Sequence, residues 1–289
     1  MPRSDRPTVS DRPTVSVVLA VYNGARVLSR TLDSVFAQEY DDFEVVAVDD
    51  GSTDATQEVL CGYAARYGLR VVRLANNVGL TKALVAGVGA ARGDYVARID
   101  AGDVMLPGRL SAQSAVLDER PSVGLVTCGC EVEVRVQGEV VRAHVEPGPP
   151  SHHAFVAMLP YRTPIAHVAV MFRTAVYRRV GGYDPQLGTT QDYDLWIRMA
   201  RASRVFALPE TLVRVIYDQE SSITFGRNKE QILTSMRIKL RAMRRGDLPL
   251  WPTALSLPKH VAMYSLPFKA NQMLRAAYRT YRARKTPMA

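Results

Sequence analysis

Apolar and helical segments alternate along the first 120 residues of the chain. Four segments rich in valine and leucine are typical of buried strands: 15–21, 43–48, 69–74 and 95–99. Four segments between and after them have the spacing of amphipathic helices: 25–38, 53–67, 80–91 and 107–119. We expect Ser52 or Thr53 to cap the second helix, and Pro107 opens the fourth. This alternation predicts an α/β fold with a mostly parallel sheet flanked by helices and joined by right-handed crossovers.

The second half of the chain is less regular. Its predicted elements are strands at 123–136 and 139–144 around a turn, a loop at 147–150, a strand at 168–172 and a helix at 192–202. His152 and His153 lack a third ligand at metal spacing, and we read them as loop residues.

The positive charge of the chain lies at its end. The formal net charge is +9, and residues 227–289 hold 14 Lys or Arg but only two acidic residues. The preceding 226 residues hold 23 basic and 26 acidic residues, so the main body is slightly acidic. A basic tail of this kind suits nucleic acid, anionic lipid or an acidic partner.

The composition also indicates the cellular compartment of the protein. No run of about 20 apolar residues, the length of a spanning helix, is present, and the first 15 residues lack the apolar segment of a signal peptide. Cys61, Cys128 and Cys130 have neither the number nor the spacing of a disulfide framework or a zinc site. We therefore expect a cytoplasmic protein, with Cys128 and Cys130 as ordinary strand residues.

Polar clusters follow each of the first four predicted strands. In a parallel sheet these clusters share one edge, where ligands of such folds bind. Five carboxylates are thereby brought near one another: Asp49, Asp50, Asp54, Asp100 and Asp103. Carboxylates that close repel unless a cation compensates, and Mg²⁺ or Mn²⁺ bridging to substrate phosphates is the usual solution. We read Asp54 and Asn76 as turn and cap residues.

Three motifs carry a resemblance to a known family. The segments VSVVLAVYNGARVLSRTLDSVFAQEYDDFEVVAVDDGSTDAT and NVGLTKALVAGVGAARGDYVARIDAGD resemble the opening of glycosyltransferase family 2, and GGYDPQLGTTQDYDLWIRMA resembles its third motif. The resemblance covers roughly residues 14–220. It implies a GT-A fold and an inverting glycosyltransferase that takes its sugar from a nucleotide-sugar donor.

The resulting division of the chain has three parts. We predict a flexible leader at 1–13, a GT-A catalytic domain at 14–226 and a basic amphipathic helical tail at 227–289. Within the catalytic domain, 14–120 would be the nucleotide-binding half and 121–226 the acceptor half.

The resemblance places the nucleotide base near Tyr22, Asn23 and Asp50. Tyr22 would stack on the base, and Asp50 would accept a hydrogen bond from a uracil-type N–H, with Asp49 as the neighbouring alternative. Lys82 either reaches the base or phosphates or is a solvated lysine. UDP is the default nucleotide, and dTDP and GDP remain open.

The metal motif of the family is altered in this chain. Asp100-Ala101-Gly102 stands where the family has Asp-X-Asp, so a glycine replaces the second acid. The family often continues with a further aspartate, and Asp103 occupies that place. The resemblance implies that Asp103 binds Mn²⁺ or Mg²⁺ directly or through water, with Asp100 near the ribose or the ion. Which of the two is the ligand stays open at this point.

Asp192 is the candidate general base. In the family an acidic pair precedes Tyr-Asp-Leu-Trp, and here Gln191 replaces the first acid while Asp192 keeps the second. The alternative is that Asp192 is an ordinary N-cap. We read Asp194 as structural support and Trp196 as core. His167 either contacts the diphosphate or acceptor or is a satisfied core histidine.

The tail reads as two basic amphipathic helices. In 231–244 an apolar arc faces a row of arginines; the arc comprises Ile232, Leu233, Met236, Leu240 and Met243. Residues 271–285 repeat this design, and the apolar segment between them is broken by prolines. Such helices either lie peripherally on the inner face of the cell membrane, near a lipid-linked acceptor, or pack on the catalytic domain.

Two other functions are less consistent with the sequence. A nucleotidyltransferase usually has a Gly-rich phosphate loop after the first strand, where this chain has Val21-Tyr22-Asn23-Gly24. A non-catalytic nucleic-acid-binding protein would explain the charge, but the basic segment has no recognised reading motif. The expected partners are therefore a nucleotide-sugar donor and a glycan or lipid-linked acceptor in cell-surface polysaccharide or glycolipid synthesis, without nucleic acid.

Overall fold

The computed structural model describes residues 13–218 and 228–265, which belong to two compact units on either side of the gap. Apart from Pro13, the predicted leader lies outside the described residues, and so does the predicted basic helix at 271–285.

The first half of the larger unit is the predicted parallel sheet. Its strands are β1 (Val15–Val21), β2 (Phe43–Asp49), β3 (Arg70–Arg73) and β4 (Tyr95–Arg98), in the order β3-β2-β1-β4. The connecting helices are α1 (Ala25–Phe36), α2 (Thr56–Tyr67) and α3 (Leu80–Ala90). Val15 pairs with both Phe43 and Tyr95, so neighbouring strands start level and end at one common edge.

The second half extends the same sheet. Its elements are β5 (Val104–Met105), α4 (Arg109–Glu119), β6 (Val123–Val136), β7 (Glu139–Glu146), α5 (His152–Met158), β8 (Met171–Arg173), α6 (Thr174–Arg179), α7 (Gln191–Ala202) and β9 (Arg204–Asp218). The strand order continues from β4 as β8-β6-β9-β5, with β7 paired to β6. Because β8 is antiparallel to both β4 and β6, the carboxyl end of β6 points to the same edge as that of β4.

Tight packing holds α3 against the sheet. At Gly87, an added Cβ would lie 2.8 Å from a methyl of Val18 and 2.9 Å from a methyl of Val48. Only glycine allows this close approach. On the other face, Leu28 and Leu32 of α1 are fully buried in the core. Burial of such a side chain stabilises the fold by about 1.5–3 kcal/mol.

Several predicted details were wrong. Helix α2 begins after Ala55, without a side-chain cap from Ser52 or Thr53. The predicted strand at 168–172 is a 3₁₀ turn at His167–Ala169 followed by the short strand β8. His152 opens helix α5, with Ser151 as its N-cap, and is no loop residue. Local cap geometry depends on contacts between loops, which periodicity does not report.

Strand β9 was missed altogether. Pro209 and four charged residues interrupt its apolar pattern. The structure accommodates the interruption because the β6–β9 register shifts between Thr127 and Gly129, where Ala207 and Thr211 are the successive partners. Such a bulge carries a proline without loss of a ladder hydrogen bond.

The smaller unit is a helix pair, α8 (Asn228–Arg244) and α9 (Leu250–Ser265). The proline-rich segment is therefore helical, with Pro258 inside α9. The buried side of α8 includes Ile232, Ile238 and Ala242, whereas Leu240, a member of the predicted apolar arc, is 40% exposed. The Lys239 ammonium is buried and donates to Ser256 Oγ at 3.0 Å, which links the two helices. No helix among the described residues is long and apolar enough to cross a membrane.

Candidate active site at the carboxyl edge of the sheet

The loops that follow β1 and β2 are tied together by side chains. The Asn23 N–H donates to Ser52 Oγ at 3.0 Å, and Asn23 Oδ1 accepts from the Thr53 N–H at 2.8 Å. Asn23 has φ 49°, a left-handed conformation that asparagine tolerates better than most residues. Asp54 accepts from the Ala25 N–H and from the N–H of Thr56, the first residue of α2, so it is a turn residue just before the N-cap Ala55.

Asp50 fastens the loop after β3 to the same assembly. Its two carboxylate oxygens accept from the N–H groups of Val78 at 2.8 Å and Gly79 at 3.0 Å. Gly51 permits this approach: it has φ +73°, and a Cβ there would lie 2.5 Å from the backbone of Asn76. Asp50 is only 3% exposed and both of its oxygens accept from backbone N–H groups, so its carboxylate supports the loop. Its contact with the nucleotide base stays a prediction.

The other residues predicted for the nucleotide differ in accessibility. Asp49 is fully buried; its Oδ1 accepts from the Ser52 N–H, and its Oδ2 has no hydrogen-bond partner among the described residues. Tyr22 is 46% exposed and offers an aromatic face at this edge. Lys82 is exposed on the first turn of α3.

The loop after β4, residues 100–103, carries the altered metal motif. The Gly102 N–H donates to Thr31 Oγ1 at 2.8 Å, and its carbonyl accepts from the Arg30 guanidinium at 2.7 Å. Gly102 has φ +107°, a conformation that is open to glycine and strained for other residues. The same Thr31 hydroxyl donates to the Asp103 carbonyl at 2.8 Å. We call residues 100–103 the acidic loop; helix α1 holds it in place.

The carboxylates at the two ends of the acidic loop have different surroundings. Asp103 is 6% exposed, and its Oδ1 accepts from the Ile216 N–H of β9 at 2.9 Å. Burial, with a contribution from the Asp100 charge, raises the pKa of Asp103 to about 7. The Asp100 side chain is 38% exposed and forms an ion pair with Arg98 through Oδ1. Burial acts to raise the pKa of Asp100, but Arg98 outweighs it and holds the pKa below its usual value.

Arg98 is a buried cation that the sequence reading did not single out. It is fully buried, and one guanidinium nitrogen donates to the Val18 carbonyl at 3.0 Å and the Ile99 carbonyl at 2.8 Å. Its signal in the sequence is a charged residue inside a buried strand, since such residues are almost never fully buried unless paired.

His167 lies against this cation and is half-buried. Burial, reinforced by the Arg98 charge, lowers the pKa of His167 to about 3, so the imidazole is neutral. Its Nε2 is 2.7 Å from the Tyr183 hydroxyl and 3.4 Å from Arg98 Nε. Both neighbours can donate to Nε2, which assigns the ring proton to Nδ1. Trp196 packs edge-on against the ring and is fully buried, as predicted for a core residue.

Asp192 lies in the first turn of α7, close to the acidic loop. The helix begins at Gln191 after an N-cap at Thr190, so Asp192 is not the N-cap. Burial raises the pKa of Asp192 to about 6, the Asp100 charge adds to this, and backbone N–H groups of the first turn oppose it. Asp194 forms an ion pair with Arg198 at 2.6 Å, which fits a structural role.

The structure therefore brings together Asp100, Asp103 and Asp192 with the unpredicted Arg98. The charges of Asp100 and Arg98 act on both Asp103 and Asp192. Tyr22, Asn23, Asp49 and Asp50 lie on the loops of the same sheet edge, after β1 and β2. Acidic and basic groups thus converge where a nucleoside diphosphate of such a fold would bind.

The side chains at this edge offer few ligands for a divalent ion. Within 13–218 and 228–265, no group of three His, Cys, Asp or Glu side chains is placed to hold a metal. Asp100 nevertheless fits an ion that is shared with substrate phosphates, because its side chain is partly exposed and its ion pair leaves Oδ2 available.

Family profiles and relatives agree with this geometry. The profile of glycosyl transferase family 2 matches residues 16–179. This chain belongs to glycosyl transferase family 2. It is 33% identical to the putative glycosyltransferase EpsE of Bacillus subtilis, over 82% of this chain and 84% of EpsE. It is 30% identical to the amylovoran biosynthesis glycosyltransferase AmsE of Erwinia amylovora, over 69% of this chain and 75% of AmsE.

Solved structures share the fold. The mannosyltransferase PcManGT of Pyrobaculum calidifontis, in complex with GDP-Man and Mn²⁺, has a TM-score of 0.64 at 22% identity, covering 93% of this chain and 83% of PcManGT. TarS 1–349 of S. aureus with UDP-GlcNAc has a TM-score of 0.62 at 19% identity, covering 86% of this chain and 71% of TarS 1–349. This chain spans less than two thirds of other TarS chains. The predicted GT-A fold is confirmed, and the family makes the chain a glycosyltransferase.

Proposed function

We propose that this glycosyltransferase moves a sugar from a nucleoside-diphosphate sugar, with UDP first among the nucleotides, to a hydroxyl of a glycan or lipid-linked acceptor. The reaction inverts the anomeric carbon. The observation that carries this proposal is the placement of Asp192 beside Asp100 and Arg98, with a pKa raised to about 6. A base with a pKa just below neutrality is ionised at pH 7 and still basic enough to take a proton.

Asp192 acts as the general base in a single displacement. Its carboxylate takes the proton of the acceptor hydroxyl while the hydroxyl oxygen forms a bond to the anomeric carbon. The bond between that carbon and the diphosphate oxygen breaks, and its electron pair leaves with the nucleoside diphosphate. Because attack and departure occur on opposite faces, the configuration inverts.

Arg98 and a divalent ion supply the positive charge near the diphosphate in this proposal. Arg98 also fixes the Asp100 carboxylate through their ion pair. Asp100 would in turn hold Mn²⁺ or Mg²⁺, and a bound ion supplies neutralisation of the leaving diphosphate. Mn²⁺ in the PcManGT complex supports the use of a divalent ion. We expect EDTA to abolish transfer and added Mn²⁺ or Mg²⁺ to restore it; full activity of metal-stripped enzyme would contradict this role.

The donor base would lie on Tyr22, between the loops that Asn23 and Asp50 fasten. Tyr22 is exposed enough to stack on a base, and Asp50 has its oxygens shared with backbone amides. UDP is favoured by the expected hydrogen bond from a uracil-type N–H to Asp50 and by the UDP-GlcNAc complex of TarS. GDP is the main alternative, because PcManGT binds GDP-Man. The AmsE relative, by its printed name, supports polysaccharide biosynthesis as the context.

A donor panel tests the reaction. Wild-type enzyme is incubated with UDP-, GDP- and dTDP-sugars, and release of nucleoside diphosphate is measured beside release of pyrophosphate. We expect nucleoside diphosphate from one donor class, loss of this release in Asp192→Asn, and retention in the matched variant Asp184→Asn. Asp184 lies in the turn before α7 and accepts from the Gln186 N–H, a bond that asparagine keeps. Pyrophosphate release would instead favour a nucleotidyltransferase.

We further propose that the smaller unit contacts an anionic membrane surface. Helix α9 has four apolar side chains that are more than half exposed: Leu250, Trp251, Leu255 and Val261. Helix α8 and the residue that follows it add exposed Arg237, Arg244 and Arg245. Exposed tryptophan and leucine with nearby basic residues suit the interface of a bilayer with anionic lipids, where a lipid-linked acceptor would lie.

Vesicle flotation tests this contact with the full chain. We expect the wild type to float with vesicles containing phosphatidylglycerol and to stay behind with phosphatidylcholine alone. Trp251→Ser with Leu255→Ser should abolish flotation, whereas Val140→Ser with Val141→Ser, at exposed positions of β7, should not. Equal flotation of both double variants would rule out α9 as the contact.

A further inference from the structure

Arg98 of β4 contacts a histidine that lies on a distant segment of the chain. Its Nη1 donates to the carbonyls of Val18 and Ile99, and its Nη2 pairs with Asp100. The remaining nitrogen, Nε, lies 3.4 Å from Nε2 of His167. The guanidinium is therefore held by its own sheet, by the acidic loop and by His167.

His167 extends this contact to the segment between α6 and α7. Its Nε2 is 2.7 Å from the Tyr183 hydroxyl, and the two rings pack edge-on with centroids 5.7 Å apart. Tyr183 is 2% exposed, and its N–H donates to the Tyr177 hydroxyl at 3.1 Å. We call residues 180–190, between α6 and α7, the pre-α7 segment. Arg98, His167 and Tyr183 thus connect the acidic loop to this segment.

The pre-α7 segment is also attached to two helices. Its Gly182 carbonyl accepts from the Arg198 guanidinium of α7 at 2.7 Å. Its Leu187 carbonyl accepts from the Thr81 hydroxyl of α3 at 2.5 Å. The contact through His167 is therefore one of a few bonds that fix the path of the chain into α7.

Asp192 follows directly on the pre-α7 segment, as the second residue of α7. Burial raises the pKa of Tyr183, the Arg98 charge opposes this and the Asp192 charge adds to it. Arg98 and Asp192 are therefore both electrostatically close to the Tyr183 hydroxyl. A shift of Tyr183 would move the first turn of α7 relative to the acidic loop.

We infer that His167 is a positioning residue for the transfer reaction: its Nε2 accepts from Arg98 and Tyr183 and thereby holds Asp192 in place relative to the Arg98–Asp100 pair. This inference rests on the proposed function. A neutral imidazole has one acceptor nitrogen, and here both neighbouring donors share it. The fixed spacing keeps the base aligned with a donor whose diphosphate lies at the sheet edge.

Steady-state kinetics of sugar transfer by the full-length protein tests this role. His167→Leu leaves Arg98 and Tyr183 without their acceptor, and we expect kcat to fall about 10- to 100-fold, because small displacements of a catalytic group are costly. The KM values for donor and acceptor should stay within about threefold of wild type, since no bond to a substrate is removed. His167→Gln keeps an acceptor oxygen near the place of Nε2 and should restore kcat to within about threefold of wild type.

Tyr183→Phe tests the same contact from its other side and removes only one oxygen. We expect kcat to fall about 3- to 10-fold, the range for one lost hydrogen bond. The double variant His167→Leu with Tyr183→Phe should lose no more than His167→Leu alone, because both changes act through one contact. Tyr95→Phe is the matched control. It removes a hydroxyl that donates to Asp118 at 2.6 Å, at the start of β4 and away from the acidic loop, and should leave kcat unchanged.

Wild-type kcat in either His167→Leu or Tyr183→Phe would overturn the inference. A raised KM at unchanged kcat in His167→Leu would also overturn it, because His167 would then be a substrate contact. A loss in the double variant equal to the product of the two single losses would show that the residues act independently, against the inference. Failure of the proposed function would look different, because the wild type itself would then transfer no sugar from any donor, and the inference would fall with it.

Discussion

Lowering the pH should switch off Asp192 over a defined range. Its pKa lies at about 6, because burial disfavours the carboxylate and the Asp100 charge adds to the effect. A general base works only in its ionised form, which is about 90% populated at pH 7 and about 10% at pH 5 for such a pKa. We therefore expect kcat/KM to fall about tenfold between pH 7 and pH 5, and to be nearly level above pH 7.

The assay is release of nucleoside diphosphate with a saturating acceptor, between pH 5 and pH 8 at constant ionic strength. Asp103 needs a control because burial raises its pKa to about 7, inside the same range. In Asp103→Asn the acid limb should keep its midpoint near 6, since Asp192 is unchanged. A level profile down to pH 5, or a limb that disappears with Asp103→Asn, would refute the assignment of Asp192 as the titrating base.

Three further outcomes follow from the same contacts. Asp192→Asn should stabilise the fold by about 1–3 kcal/mol at pH 7 and should have no such effect below pH 4. The reason is that the pKa of Asp192 is higher in the folded than in the unfolded protein, so ionisation of this carboxyl opposes folding at pH 7. Urea unfolding at both pH values measures the difference, and equal gains in the free energy of unfolding would contradict it. Arg98→Met should cost about 3–5 kcal/mol, since Asp100 and two buried carbonyls lose their donor; a loss under about 1 kcal/mol in the same assay would disprove the buried network. Tyr22→Ala should raise the donor KM about 10-fold with little change in kcat, and Tyr22→Phe should not, if the ring stacks on the base; equal KM values for both variants would exclude stacking.

The parallel half of the sheet was predictable because its signals are local. Strand β1 was predicted with its observed bounds, Val15–Val21, and the strand-end clusters were placed at one edge by the rule for parallel sheets. Strand β9 was not predictable, since its identity depends on the partner β6 and on a bulge that absorbs Pro209. Periodicity fails wherever tertiary pairing overrides it.

The site was predictable as a set of residues and less so in what each one does. The motifs identified Asp50 and Asp103, but the hydrogen bonds that these carboxylates accept from the N–H groups of Val78, Gly79 and Ile216 depend on segments that are distant in sequence. Arg98 was missed because an arginine in a strand is usually solvated at an edge, and here it is fully buried. Its burial depends on Asp100 and on the carbonyls of Val18 and Ile99, which one-dimensional patterns do not reveal.

The ties made by Asn23 and Asp50 have a consequence for the kinetics of donor capture. Three of the loops at the sheet edge are already fixed to one another by Asn23 Oδ1 and by the two Asp50 oxygens. A nucleotide that enters there meets a preorganised cleft and freezes few additional backbone torsions. Association with the base should therefore proceed close to a rigid-body encounter, so that affinity differences among nucleotides arise mainly from how fast they dissociate.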